Sequence, residues 1–300
     1  MSTPDILGVE LSDRVARAVV VDSEGRVGGR AEGAYSDADG VMQTAVAALR
    51  AAGVNRPRLI GVAAIEPQAR GVPPTLKALS ANWDGTTHPA VIGWGAAYAL
   101  GELWCGAARH SRNVLAFAVG DRASAGLILD GRLWTGAHEL AGSAAWLALN
   151  PVEREDYRKL GCLDAEVSAI GIVRRLVWRI KAGDQSGVLE MAGGDMSAIT
   201  LDHVLSGARS GDGVAISVIR DTVKYLGMAI SNLAATVDPE IIVLGGTVHA
   251  AGDLLLEPIR NECARRMSPL MYRNVRIELA ALGADAPAIG AAHRALTEQS

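Results

Sequence analysis

The chain has 300 residues, enough to bury a sizeable core and to divide it between two lobes of ordinary domain size. Its residues are 49% hydrophobic but only 4% aromatic, with a single Phe, and this reliance on small aliphatic side chains suits the tight helix-on-sheet layers of an α/β protein. A net charge of −4, with acids and bases interspersed, supplies no positive field for a phosphate backbone, which argues against direct nucleic-acid binding.

Residues 5–10 read as a short buried strand, residues 15–22 as a second, and residues 26–32 as a third after the turn at Gly25. Val41, Ala45, Ala48 and Leu49 recur at helical spacing over residues 37–52, with Gly53 as a stop signal, and residues 58–64 return to strand. The segment 66–89 holds Pro67, Pro73, Pro74 and Pro89 with Gly71 and Gly85, and is expected to be largely irregular.

A short strand at 90–93 leads into a helix over 96–109, and residues 113–119 and 125–129 form a strand pair, so a second lobe begins near residue 90. The remainder is mostly helical, with apolar-striped stretches over 165–180 and 214–237, the latter running into a strand at 240–244. A helix over 250–267, a strand over 275–279 and a closing helix over 286–296 complete the chain.

Cys105, Cys162 and Cys263 are odd in number and far apart, which suits a reducing compartment better than a disulfide framework. The N-terminus lacks a basic-then-apolar signal, and no apolar run reaches the roughly 18 residues of a membrane span. A cytoplasmic protein without membrane contact is expected.

Residues 238–253 combine a buried strand, the Gly245-Gly246 turn with Thr247, and a following helix. Gly120, Asp121, Arg122, Ser124 and Gly126 form a small-residue loop before a hairpin. Gly161 to Glu166 and Gly283 to Ala292 follow in order. As an ordered set these segments resemble the ROK (repressor, open reading frame, kinase) family of sugar kinase-like proteins. The resemblance implies a two-lobed actin-like ATPase, or ribonuclease H-like, fold of the sugar kinase type. The lobes would span 1–90 and 91–285, with the closing helix, about 286–297, packed back on the first. Candidate nucleotide-binding residues are Gly120, Ser124, Gly126, Gly245, Gly246 and Thr247. Candidate ligand-binding residues are Asn82, Asp84, His138 and Glu139, with loop packing the competing reading for the last two.

Phosphoryl transfer to a sugar needs a carboxylate base, glycines and amides around the phosphates, and a metal against developing charge. In ROK kinases the base lies in an Asn-Asp-Ala-Asn stretch shortly before Leu-Gly-Glu. Superposing Leu100-Gly101-Glu102 on that ending puts Trp94 at the base position, and no Asp or Glu lies between Gly85 and Gly101. Indole accepts no proton at neutral pH, and losing a general base removes about 10²–10⁴-fold of rate.

The family's first phosphate loop, Asp-x-Gly-Gly-Thr, falls on Glu10, Leu11, Ser12, Asp13 and Arg14, which keep an acid but no glycine. In the second, Asp121 and Arg122 replace a Thr-Gly pair; Arg14 and Arg122 could still attract an anion, with solvated surface arginines the favoured reading. The sugar and zinc motif Glu-x-Gly-His falls on Ser143, Ala144, Ala145 and Trp146, and two zinc cysteines fall on Glu155 and Tyr157. Cys162 is left as an ordinary buried residue, and neither zinc nor another metal is expected. Trp83, Trp94, Trp134 and Trp146 are expected to face the cleft, filling it or stacking on a sugar.

The residues therefore favour a non-catalytic ROK relative, with no catalytic residue, that binds a small sugar-like ligand or a partner between its lobes. One alternative is an ATP-dependent sugar kinase with a diverged site, using ATP and magnesium. A second is a transcriptional regulator relative lacking its DNA-binding domain, since a reader of roughly 60–80 residues is expected before the first strand and none fits there. The resemblance also implies a homodimer, with the apolar helix over 214–237 available to an interface.

Overall fold

The structure, a computed structural model, describes residues 5–12, 15–68, 70–83 and 88–298. The first sheet is built from β1 (Ile6–Leu11), β2 (Val15–Val21), β3 (Val27–Ala34), β4 (Leu59–Ala64) and β5 (Ala90–Gly93), in the order β3-β2-β1-β4-β5. β1 to β3 form an antiparallel meander, and β4 and β5 run parallel to β1. β1 is buried along its whole length, as expected of a central strand covered on both faces.

Helix α1 (Ala38–Ala51) starts where the Asp37 carboxylate accepts a hydrogen bond from the Gly40 amide, and it buries Val41, Ala45, Ala48 and Leu49. The segment expected to be irregular instead contains α2 (Val72–Asn82). Pro73 and Pro74 sit in its first turn, where a missing N–H costs nothing, so they start the helix rather than break it.

The chain then crosses through α3 (Trp94–Cys105) to a second sheet of β6 (Val114–Val119), β7 (Ala123–Leu129) and β8 (Arg132–Trp134). The helices α4 (Glu155–Leu160), α5 (Asp164–Val167), α6 (Ala169–Lys181), α7 (Val188–Met191), α8 (Leu201–Arg209) and α9 (Gly213–Val237) follow. The expected single helix over 165–180 is two, because the Ser168 hydroxyl caps α6 by accepting from the Gly171 amide. β9 (Ile241–Gly246), α10 (Thr247–Ala250), α11 (Gly252–Arg266), α12 (Pro269–Asn274), β10 (Arg276–Leu279) and α13 (Ala286–Glu298) complete the chain.

The second sheet has the order β10-β9-β6-β7-β8, a meander of β6 to β8 with β9 and β10 added parallel to β6. This repeats the plan of the first sheet. α3, which leaves the first sheet, packs on β6 and β7 of the second, and α13, which leaves the second, packs on β1 and β4 of the first. The two helices meet each other between the sheets. Crossing helices of this kind place the C-terminal ends of the central strands β1 and β6 on the two sides of a common cleft.

Candidate functional site

The cleft is assembled at the ends of β1 and β4 on one side and the β6–β7 loop and α5 on the other, and it contains a cavity of about 380 Å³. Ser12, Tyr35, Glu66, Asp121, Arg122 and Asp164 supply its main polar lining. The cavity size is in the range of small-ligand pockets.

Trp94, the first residue of α3, is buried between the end of β1 and the β6–β7 loop and does not line the cavity itself. Its indole N–H donates to Glu10 Oε1 at 2.6 Å, and its six-membered ring lies against Gly120. The indole thus spans from the end of β1 to the β6–β7 loop, the two places where phosphate loops were expected. Tyr98, one turn later, meets Trp94 edge-on at 5.5 Å between ring centroids. Glu10 is 4% exposed, and its second oxygen accepts from the Arg17 guanidinium at 2.8 Å. Arg17 also bonds Glu32 and the Ala284 carbonyl. Burial raises the Glu10 pKa above its ordinary value, opposed by the Trp94 hydrogen bond and the Arg17 charge.

Arg122 differs from expectation: it is no solvated arginine. Its Nε donates to Asp164 Oδ2 at 2.7 Å, its Nη1 to Glu66 Oε1 at 3.0 Å across the cleft, and its Nη2 to the Leu160 carbonyl at 3.4 Å. Asp164 also accepts the Ala123 amide at 2.6 Å. Burial pushes the Asp164 carboxyl up to about 6, against the lowering influence of the Ala123 amide and Arg122. A raised carboxyl favours the folded state in acid, and that contribution is lost as pH rises through about 6. Lowering the pH from about 7.5 to about 5 is therefore expected to raise the melting temperature of the wild type relative to Asp164→Asn. Parallel melting curves for the two proteins, with no relative shift, would show that Asp164 titrates normally despite Arg122, Glu66 and Asp121 around it.

The candidate glycines have contacts within the protein. A Cβ on Gly126 would overlap the Gly95 carbonyl of α3, and one on Gly245 would overlap the Tyr98 ring. Gly246 has φ +63°, a left-handed value that favours glycine, and its amide donates to the Tyr98 hydroxyl at 3.3 Å. Ser124 lies on β7 facing α3, and Thr247 opens the short α10. Close approach of the backbone at Gly245 is thus made by Tyr98, which also donates to the Gly283 carbonyl at 2.7 Å.

Asn82 is exposed at the end of α2, and His138 and Glu139 are exposed in the loop after β8, none of them lining the cavity. Asp84, Asp13 and Arg14 lie outside the described residues. Of the tryptophans expected in the cleft, Trp83 is buried beneath the first sheet, and Trp134 and Trp146 are about half exposed on the second lobe. Trp94 bridges the two sheets, through Glu10 of β1 and Gly120 after β6, without lining the cavity. Sequence reasoning missed Arg17, Glu66, Tyr98 and Asp164. Only Asp164 carried a signal, as the acid two residues after the motif cysteine.

The residues present do not suit a magnesium–nucleotide complex. Both Glu10 oxygens are engaged by N–H donors rather than open to a hard cation, and Arg122 gives its donors to protein oxygens. Nor do they suit structural zinc: Cys162 packs against Tyr157 and Ala165, and the Tyr157 hydroxyl donates to Glu166 at 2.6 Å within a network that includes Arg154.

The repeated sheets, crossing helices and interlobe cavity define an α/β protein of the two-lobed, actin-like sugar kinase type. The ROK family model matches residues 88–298, and the chain belongs to the ROK family. It is similar to a glucokinase of Halalkalibacterium halodurans, 34% identical over 64% of this chain and 58% of that protein. It is also similar to a xylose repressor of Caldicellulosiruptor bescii, 26% identical over 64% of this chain and 48% of that protein. The chain thus matches about half to three-fifths of the length of these relatives. Among solved structures, a ROK glucokinase from Streptomyces griseus with glucose and AMPPNP superposes with a TM-score of 0.81 at 24% identity, covering 97% of this chain and 99% of that one. A ROK transcriptional regulator homologous to the E. coli MLC protein superposes at 0.78 and 21% identity, covering 97% and 77%.

Proposed function

We propose that this chain is a non-catalytic ROK protein that binds a small sugar-like ligand in the interlobe cavity and transmits binding through the relation of its lobes. The reading rests on Trp94: its indole is hydrogen-bonded to Glu10 and lies on Gly120, at the position to which the family resemblance assigns the proton acceptor of a kinase. The engaged oxygens of Glu10 support it, because a carboxylate whose two oxygens already accept N–H donors offers less to a hard cation. The ligand class follows from the glucokinase and xylose repressor relatives. Homodimer formation and a cytoplasmic location belong to the same proposal. Among the described residues no helix is long and apolar enough to cross a membrane.

The competing reading, an ATP-dependent sugar kinase with a diverged site, draws on the 34% identity to a glucokinase. ADP release by the purified chain, with ATP, magnesium and a panel of hexoses and N-acetylhexosamines, separates the two. The expected rate with every sugar equals the sugar-free blank. Sugar-dependent turnover, with the sugar phosphate identified as product, would sink the non-catalytic reading.

A further inference from the structure

The polar lining of the interlobe cavity is unbalanced. Among the described lining residues, Glu66, Asp121 and Asp164 bring carboxylates and Arg122 brings the only cation, leaving two acidic groups uncompensated when all are ionised. Arg122 gives three of its N–H groups to the protein, since its Nε, Nη1 and Nη2 donate to Asp164, Glu66 and the Leu160 carbonyl, and its charge is shared between the Asp164 and Glu66 carboxylates.

Three of the lining hydroxyl protons are spent in the same way. Ser12 donates to the Val15 carbonyl at 2.9 Å, Tyr35 to the Ser12 carbonyl at 2.5 Å, and Thr75 to the Gly71 carbonyl at 3.0 Å. Ser12 and Thr75, having given their protons, keep lone pairs to accept with. Glu66 likewise keeps its second oxygen, because Arg122 contacts Oε1. Among the described lining residues, the side chains around the cavity therefore present mainly acceptors and net negative charge, with the Ser168 hydroxyl, which accepts from the Gly171 amide, and the remaining N–H groups of Arg122 as donors. Leu11, Val72 and Leu160 supply an apolar wall for the C–H face of a ring.

Given the reading of this cleft as the ligand site, on which this rests, we propose that it selects an amino-bearing polyol, an amino sugar in its ammonium form, over the neutral sugar, and rejects the phosphorylated form. An ammonium group brings three donors and a positive charge to acceptors that lack both, whereas a phosphate brings charge of the sign already in excess. A closely apposed ammonium–carboxylate pair in a partly dehydrated cavity is expected to give at least ~10-fold tighter binding.

Calorimetric titration of the full chain with glucose, glucosamine, N-acetylglucosamine and glucosamine 6-phosphate tests this directly. Glucosamine is expected to bind at least ~10-fold more tightly than glucose. Acetylation, which removes the charge, should abolish the advantage, and the 6-phosphate should bind most weakly. In Glu66→Gln and in Asp121→Asn the glucosamine-to-glucose affinity ratio should fall towards unity. The second variant keeps the test valid if loss of the Arg122–Glu66 pair disturbs folding. Equal affinity for glucose and glucosamine would overturn the ammonium preference while leaving the cleft a sugar site. Tightest binding of the 6-phosphate would overturn it as well, and silence with all four compounds would overturn the preference and the site together. Sugar-dependent ATP turnover would remove the non-catalytic reading yet leave the affinity ratio as measured.

Discussion

Trp94→Asp, which returns a carboxylate to the expected base position, is expected to consume no ATP with glucose and to melt about 10 °C below the wild type. Stability falls for two separable reasons. Removing a buried indole costs the packing of a large aromatic against Tyr98 and Gly120, about 3–5 kcal/mol in a core. The new carboxylate also stands beside Glu10, which is already buried with a raised pKa and has just lost its N–H donor. Activity does not return because the other oxygen of Glu10 remains on Arg17, and Arg122 remains on Asp164 and Glu66. Glucose-dependent ADP release by the variant would remove Trp94 from the centre of the functional reading.

Trp94→Phe separates ring from donor. It keeps an aromatic in the space and loses the hydrogen bond to a charged acceptor, an effect of about 1.5–3 kcal/mol. Because the indole N–H favours the ionised form of Glu10, the penalty should be largest at neutral pH and shrink in acid, where Glu10 is protonated with or without it. Melting curves across pH check the ordering of wild type above Trp94→Phe above Trp94→Asp, and its narrowing at low pH.

Gly290→Ala is expected to lower stability by about 2–3 kcal/mol, opposite in sign to its local effect. In an exposed helix interior, replacing Gly by Ala stabilises by about 1 kcal/mol. Gly290, however, lies in α13 where the helix crosses α3, and a Cβ there would overlap the Ala97 carbonyl and press on the Gly101 amide. The neighbouring turns of α13 are equally close to β1 and β4: a Cβ on Gly8 or Gly61 would overlap the Ala288 or Ala291 carbonyl. Backbone atoms on both sides leave the crossing nothing soft to displace, so the helices must separate. Urea unfolding of the two proteins decides the sign, and an unchanged or raised midpoint would show that the lobes accommodate the methyl group.

The strands and main helices were legible in the sequence because burial writes apolar runs and periodic stripes into the residues of each element. Errors arose where one residue type has two opposite local uses. Pro73 and Pro74 looked like breakers and lie in the first turn of α2. Ser168 looked like part of a long stripe and is the cap that divides α5 from α6. The candidate site was legible in part. Trp94, Glu10 and Arg122 were singled out from the order of motifs along the chain, but His138 and Glu139 are exposed in a loop away from the cavity.

The sequence by itself determined the fold class and the family, since both are written in local pattern or in the order of motifs, and it singled out Trp94 on the same ground. Only the tertiary structure decided what the singled-out residues touch. Glu10 and Trp94 are 84 residues apart, and Arg122 and Glu66 are 56 apart. Such partners meet because two crossing helices bring the ends of two separate sheets together, and no short-range periodicity encodes that meeting. The charge balance of the cavity is likewise a sum over loops from both lobes, so it exists only once the chain has closed around it.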